Sequence, residues 1–132
     1  MILVDTSVWI DFFRNVESWE ATRLGAALAT YEDLAICGPI IMEIRQGIAS
    51  DKAAQKIQRV LSPLLYLPTL RGTYYRAADI YRTARSKGKT IRNAIDCLIA
   101  ACAVENRVQL LQRDKDFLTI AGVSKLDVVG PP

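Results

Sequence analysis

Asp5, Glu43, Asp96 and Asp114 are spread over almost the whole of this chain, and each adjoins an apolar run. Carboxylates are the acid-base and metal-binding groups available, because the sequence contains no histidine. That removes the usual general base, the usual zinc ligand and every Ser-His or Cys-His nucleophile arrangement. Hydrolysis by this chain must therefore rely on carboxylates, a metal ion or lysine. The cysteines Cys37, Cys97 and Cys102 are odd in number, lack C-x-x-C spacing and lie among apolar residues, so neither a disulfide nor structural zinc is expected.

Each acid also has a plainer use. Asp5, directly before Thr6 and Ser7, suits a turn or a helix cap. Glu43, beside the stripe Ile40, Ile44 and Ile48, suits the positive end of a helix dipole. Asp96, three residues beyond a plausible Asn93 cap, suits a capping box or a pair with Arg92. Asp114 and Asp116 suit a solvated charged loop. Convergence is what separates these uses from chemistry. Several acids at one edge repel one another and raise each other's pKa unless a cation neutralises them. Asp96 argues most directly for such a cation, since its helix face continues through Ile99, Ala100 and Ala103 with no obvious permanent counter-ion. Mg²⁺ fits, because it takes hard oxygen ligands, keeps several waters and so suits an open, phosphate-facing site. Mn²⁺ is a possible substitute.

The elements that must position these acids are legible as short apolar runs and helical stripes. Ile2 to Val4, Leu34 to Cys37, Leu64 to Leu67, Val108 to Leu111 and Leu126 to Val129 read as five buried strands. Between them, Leu24 to Tyr31, Ile40 to Ile48, Ala54 to Leu61, Tyr74 to Ala84 and Ile95 to Cys102 carry helical periodicity, with Pro39 in a first turn and Thr73 and Asn93 as plausible caps. Strands separated by helices imply an α/β fold with a mainly parallel sheet covered on both faces. Ligands of such sheets bind beyond the carboxyl ends of the strands, which brings Asp5, Glu43, Asp114 and Asp116 to one edge. Asp96 follows no strand, so this rule gives it no place there.

The 132 residues, 51% hydrophobic, fit a single domain spanning 1–132 without a linker. The longest apolar run, Cys97 to Val104, is far short of the roughly 18 residues of a membrane span, and Met1 to Val4 meets Asp5 too soon for a signal peptide. A soluble cytoplasmic protein is expected. Net charge is +3, yet residues 1–51 carry eight acids and three bases while residues 52–132 carry six acids and fourteen bases. From Arg71 to Arg92 seven bases face the single acid Asp79, a density able to attract phosphates, although taken alone a solvated helix face explains it better.

Four segments together resemble the PIN-domain family, and within it the VapC-type toxins of prokaryotic toxin-antitoxin pairs. They are Val4-Asp5-Thr6-Ser7-Val8-Trp9, Pro39-Ile40-Ile41-Met42-Glu43, Ile95-Asp96-Cys97-Leu98-Ile99-Ala100-Ala101 and Arg113-Asp114-Lys115-Asp116-Phe117. The resemblance covers essentially the whole chain. It implies a three-layer α/β/α sandwich around a five-stranded sheet and an Mg²⁺-dependent endoribonuclease acting as a toxin. Asp5, Glu43, Asp96 and Asp114 match the family's acidic quartet and Asp116 a frequent fifth acid. Thr6 matches a hydroxyl that supports the first aspartate, and Asn93 a polar group behind the ligands. In the implied reaction Asp5, Asp96 and Asp114, with Asp116, hold the metal, and Glu43 orients the water or a second ion. Lys87, Lys89, Arg92, Arg113 and Lys115 are the candidate RNA phosphate contacts. A cognate VapB-like antitoxin and a homodimer are further implied. The competing reading is a noncatalytic module whose acidic edge binds a basic protein segment while its basic half touches RNA. An aspartyl phosphotransferase fits less well, since Asp5-Thr6-Ser7 lacks a D-x-D pattern and no glycine-rich phosphate loop is present.

Overall fold

The computed structural model describes residues 1–132. Strands β1 (Ile2–Val4), β2 (Leu34–Cys37), β3 (Leu65–Leu67) and β4 (Gln109–Leu111) form one parallel sheet in the order β3-β2-β1-β4. They are short and apolar because the sheet is covered above and below: Leu3, Val4, Ala35, Ile36, Leu110 and Leu111 are all buried. The expected fifth strand, Leu126 to Val129, lies beside β4 but makes only one bridge, Leu110 to Val128. The Leu110 N–H donates to Asp127 O and the Val129 N–H to Leu110 O, each at 2.9 Å. Beyond them Gly130, Pro131 and Pro132 end the ladder, since the prolines have no N–H to offer.

Seven helices connect the strands: α1 (Thr6–Phe13), α2 (Trp19–Ala29), α3 (Gly38–Gln46), α4 (Asp51–Leu61), α5 (Arg71–Ser86), α6 (Ala94–Asn106) and α7 (Lys115–Val123). From β1 through β2 to β3 the chain steps outward in one direction, and from β3 to β4 it returns past β1. Right-handed crossovers therefore place α1 to α4 on one face and α5 to α7 on the other, giving the three layers. The reversal falls between β1 and β4, so the crevice at their carboxyl ends is where a doubly covered sheet opens to ligands.

Two helices carry no strong sequence period. In α1 the residues Val8, Trp9, Phe12 and Phe13 are poor helix formers, and packing holds them: Trp9 is fully buried, stacked on Phe13 at 5.6 Å and met edge-on by Phe12. In α7 burial of Phe117 and Ile120 does the same. α6 is buried almost all round, with Cys97, Ile99, Ala100, Ala101, Cys102 and Ala103 enclosed between the sheet and α5. Its small side chains allow that close approach. Thr73 is not the cap of α5. Leu70 is, and the Thr73 hydroxyl accepts the Leu70 N–H at 3.0 Å while donating to Glu105 at 2.8 Å.

Candidate active site

Register brings the first acid to the edge. Val4 pairs with Leu111, and the Asp5 N–H donates to Leu111 O at 2.9 Å, so Asp5 stands level with the Gln112–Asp114 loop. Asp5 is also the N-cap of α1, and its Oδ2 accepts the Ser7 N–H at 3.2 Å and the Ser7 hydroxyl at 2.6 Å. Burial pushes the Asp5 carboxyl above the ordinary range, the Ser7 bonds oppose that, and nearby Glu43 adds repulsion.

Glu43 arrives from the next strand over. Because β2 runs directly into α3, with Pro39 in its first turn, Glu43 comes up on the face that meets α1. Its Oε1 accepts the Thr6 hydroxyl at 2.9 Å. Thr6 therefore holds Glu43, and the hydroxyl that supports Asp5 belongs to Ser7, contrary to the expectation from the sequence. An Asp cap followed two residues later by Ser was the available signal for it.

Asp96 is delivered by a helix end rather than a strand end. Asn93 caps α6, its Oδ1 accepting the Ile95 N–H at 3.0 Å, and this starts the helix so that Asp96 in the first turn turns inward. Only 8% of Asp96 is exposed, and its carboxylate, met by no hydrogen-bond donor of the chain, keeps a small contact with solvent. Desolvation first, then Asp5, Asp114, Glu43 and Asp116, raise its pKa to about 7. That single residue thus feels all four other acids, which places the five together. The adjacent Cys97 thiol is pushed up to about 11 by burial and by Asp96 and Asp116, so it stays neutral.

The last two acids come from the start of α7. Asp114 is its N-cap, and Asp114 Oδ1 accepts the Asp116 N–H at 2.9 Å. The expected pair of Arg92 with Asp96 is not formed. Arg92 instead bridges Asp114, through Nη2 at 3.0 Å, and buried Asp116, through Nε at 3.1 Å. One oxygen each of Asp96, Asp114 and Asp116 lie within 4.8 Å of one another. These three, rather than Asp5 with Asp96 and Asp114, form the tightest oxygen group, with Asp5 and Glu43 completing the edge.

Of the five basic residues expected to meet phosphate, Lys87, Lys89 and Lys115 form no ion pair, whereas Arg92 is held by Asp114 and Asp116 and Arg113 by Asp11 on α1. The Arg113–Asp11 pair was not foreseen, because 102 residues separate the two in sequence. An apolar cavity of about 250 Å³ lined by Ile36, Ile44, Ile48, Ile57, Leu61 and Tyr66 contains none of the five acids. No helix is long and apolar enough to cross a membrane.

Comparison with known proteins agrees with this geometry. The model of the PIN domain matches residues 2–123. The chain is 38% identical over 128 residues to ribonuclease VapC11 of Mycobacterium tuberculosis, with 96% of each chain covered. The same identity and coverage hold for the VapC ribonuclease Mb1587 of Mycobacterium bovis. Among solved structures, its fold is similar to that of VapBC2 from Rickettsia felis bound to a promoter DNA fragment, with a TM-score of 0.77, 18% identity and 98% of both chains covered.

Proposed function

Because the chain belongs to the PIN-domain family, with VapC ribonucleases among its relatives, we propose that it is a divalent-metal-dependent endoribonuclease and the toxin of a toxin-antitoxin pair. The observation that carries this reading is Asp96, buried without a hydrogen-bond partner amid four other carboxylates. Holding such a group ionised is costly without a cation, and the donors grouped with it, Asp114 and Asp116, are hard oxygens. That donor set fits Mg²⁺, with Mn²⁺ as a substitute, and does not suit a soft metal.

Asp96, Asp114 and Asp116 would hold the ion, with Asp5 beside them. Bound there, it supplies a water of lowered pKa and neutralises charge developing on the phosphate. Glu43, fixed by Thr6, is the group placed to accept a hydrogen bond from the attacking water and orient it. Ser7 keeps Asp5 facing the edge. Lys87, Lys89 and Lys115, free of ion pairs, draw the RNA backbone toward it. A VapB-like antitoxin is the proposed inhibitor and a second copy of the chain the proposed dimer partner. The first is supported by the similarity to the VapBC2 structure and by the cluster of acids, which a basic segment could meet.

The test is cleavage of RNA by purified protein with Mg²⁺, the fragments being sequenced and the Asp96→Asn variant run alongside. Cleavage at defined positions should fall by more than about a hundredfold in the variant, beyond the loss seen when groups merely supporting a ligand are changed. Equal cleavage by both proteins would identify a contaminating nuclease and remove the enzyme reading, leaving the binding module.

A further inference from the structure

Arg92 is the only cation whose ion pairs reach the acid edge. Its backbone N–H and Nε both donate to Asp116 Oδ2, at 3.3 and 3.1 Å, and its Nη2 donates to Asp114 Oδ1 at 3.0 Å. Asp114 and Asp116 are two of the three acids whose oxygens lie within 4.8 Å of one another, and the third, Asp96, has no partner at all. The Arg92 side chain is nonetheless 62% exposed. It extends from the short connection between α5 and α6, which turns at Gly88 with φ +71° and is anchored by buried Ile91. The guanidinium can therefore leave the acids while the loop stays in place.

We propose that Arg92 is a built-in surrogate cation, which holds Asp114 and Asp116 in the metal-free protein, competes with the divalent ion for them and is released when the ion enters. This rests on the reading of the edge as a metal site. The physical ground is that two carboxylates cannot neutralise a guanidinium and a divalent ion at full strength together, and the two cations repel each other. Each therefore weakens the other's hold, by the same factor in both directions. The guanidinium is solvent-accessible and its bond to Asp114 is exposed, so a divalent ion drawing on the same carboxylates can displace it. A second consequence is an order of events: a guanidinium released beside the loaded site is free to take a phosphate oxygen, so Arg92 becomes an RNA contact only once metal is present.

Calorimetric titration of Mn²⁺ into the wild-type chain, Arg92→Gln and Arg92→Lys, at fixed ionic strength, tests this directly. Arg92→Gln should bind Mn²⁺ about two- to fivefold more tightly than the wild type, the factor that loss of an ion pair of up to about 1 kcal/mol converts to. Arg92→Lys, which keeps the charge but loses the fork, should fall between the two. If the Gln variant is too unstable to titrate, tighter binding by the Lys variant supports the proposal and unchanged binding overturns it. In the wild type the Arg92 Nε–H resonance, followed by ¹⁵N NMR, should move when Mg²⁺ is added. Unchanged or weaker binding by Arg92→Gln, or a Nε–H signal indifferent to Mg²⁺, overturns the proposal and makes Arg92 a clamp that aids the ion. Absence of Mn²⁺ binding in the wild type and the Gln variant alike overturns the metal site itself, and the surrogate with it.

Discussion

Thr6 and Ser7, neighbours in sequence, support different acids: one hydroxyl donates to Glu43 and the other to Asp5. Because the two bonds share no atom, each can be removed without removing its neighbour's. Thr6→Val should lower the rate of RNA cleavage by about 10- to 100-fold, the cost of losing a group that orients a ligand. The same change should alter stability by only about 1 kcal/mol, as urea unfolding would measure. A loss of activity matched by global unfolding would make Thr6 a structural residue instead. At this scale the sequence disclosed the acids, since an Asp or Glu beside an apolar run has a predictable address. It disclosed less about their supports. Whether Thr6 or Ser7 reaches Asp5 depends on side-chain rotation around one helix cap, and the Arg92 fork depends on two loops meeting, neither of which leaves a periodic trace.

α6 serves two purposes along one axis, presenting Asp96 at its start and filling the core with the rest. Ile99 is wholly buried one turn after Asp96. Truncating it, Ile99→Ala, should cost about 2–5 kcal/mol in urea unfolding, because the enclosed helix has little room to collapse onto the void. The opposite change, Ala100→Leu, should cost about 1–3 kcal/mol by overpacking the approach to the sheet, and an unchanged midpoint would show that α6 is less tightly enclosed than its burial indicates. Elements with a period or a length were readable: β1 and β2 coincide with their apolar runs, α2 to α5 follow their stripes, and α6 shows as a long apolar segment buried almost all round. α1 and α7 were not, because their aromatic and β-branched residues carry little helical preference and become helical through what they bury. The fifth strand was overread for a related reason. An apolar run marks burial, whereas a strand also needs ladder partners, and the segment 126–129 bonds only through Leu110.

The whole molecule carries an electrostatic strain centred on Asp96, and it has a definite sign. A carboxyl whose pKa is about 7 folded and 3.8 unfolded binds more protons in the folded state between those values. Without metal, stability should therefore decline as pH rises from about 4 to about 7, by on the order of 2–4 kcal/mol from this residue. Melting curves in EDTA at pH 5.5 and pH 7.5 measure it, and the higher melting temperature belongs to pH 5.5. Asp96→Asn should flatten that slope and stabilise the metal-free chain at pH 7.5. Saturating Mg²⁺ should remove or reverse the slope in the wild type, because the ion binds the deprotonated acids. A melting temperature in EDTA that rises toward pH 7.5 would mean that Asp96 is already compensated.

The strand order has one more effect, on the timing of biosynthesis. β1 is made before its β4 neighbour and the Asp114–Asp116 segment, which follow only after the six intervening helices α1 to α6. A nascent chain that has not yet reached Asp96 holds Asp5 and Glu43 without the carboxylates that face them, so the proposed metal site cannot assemble on it.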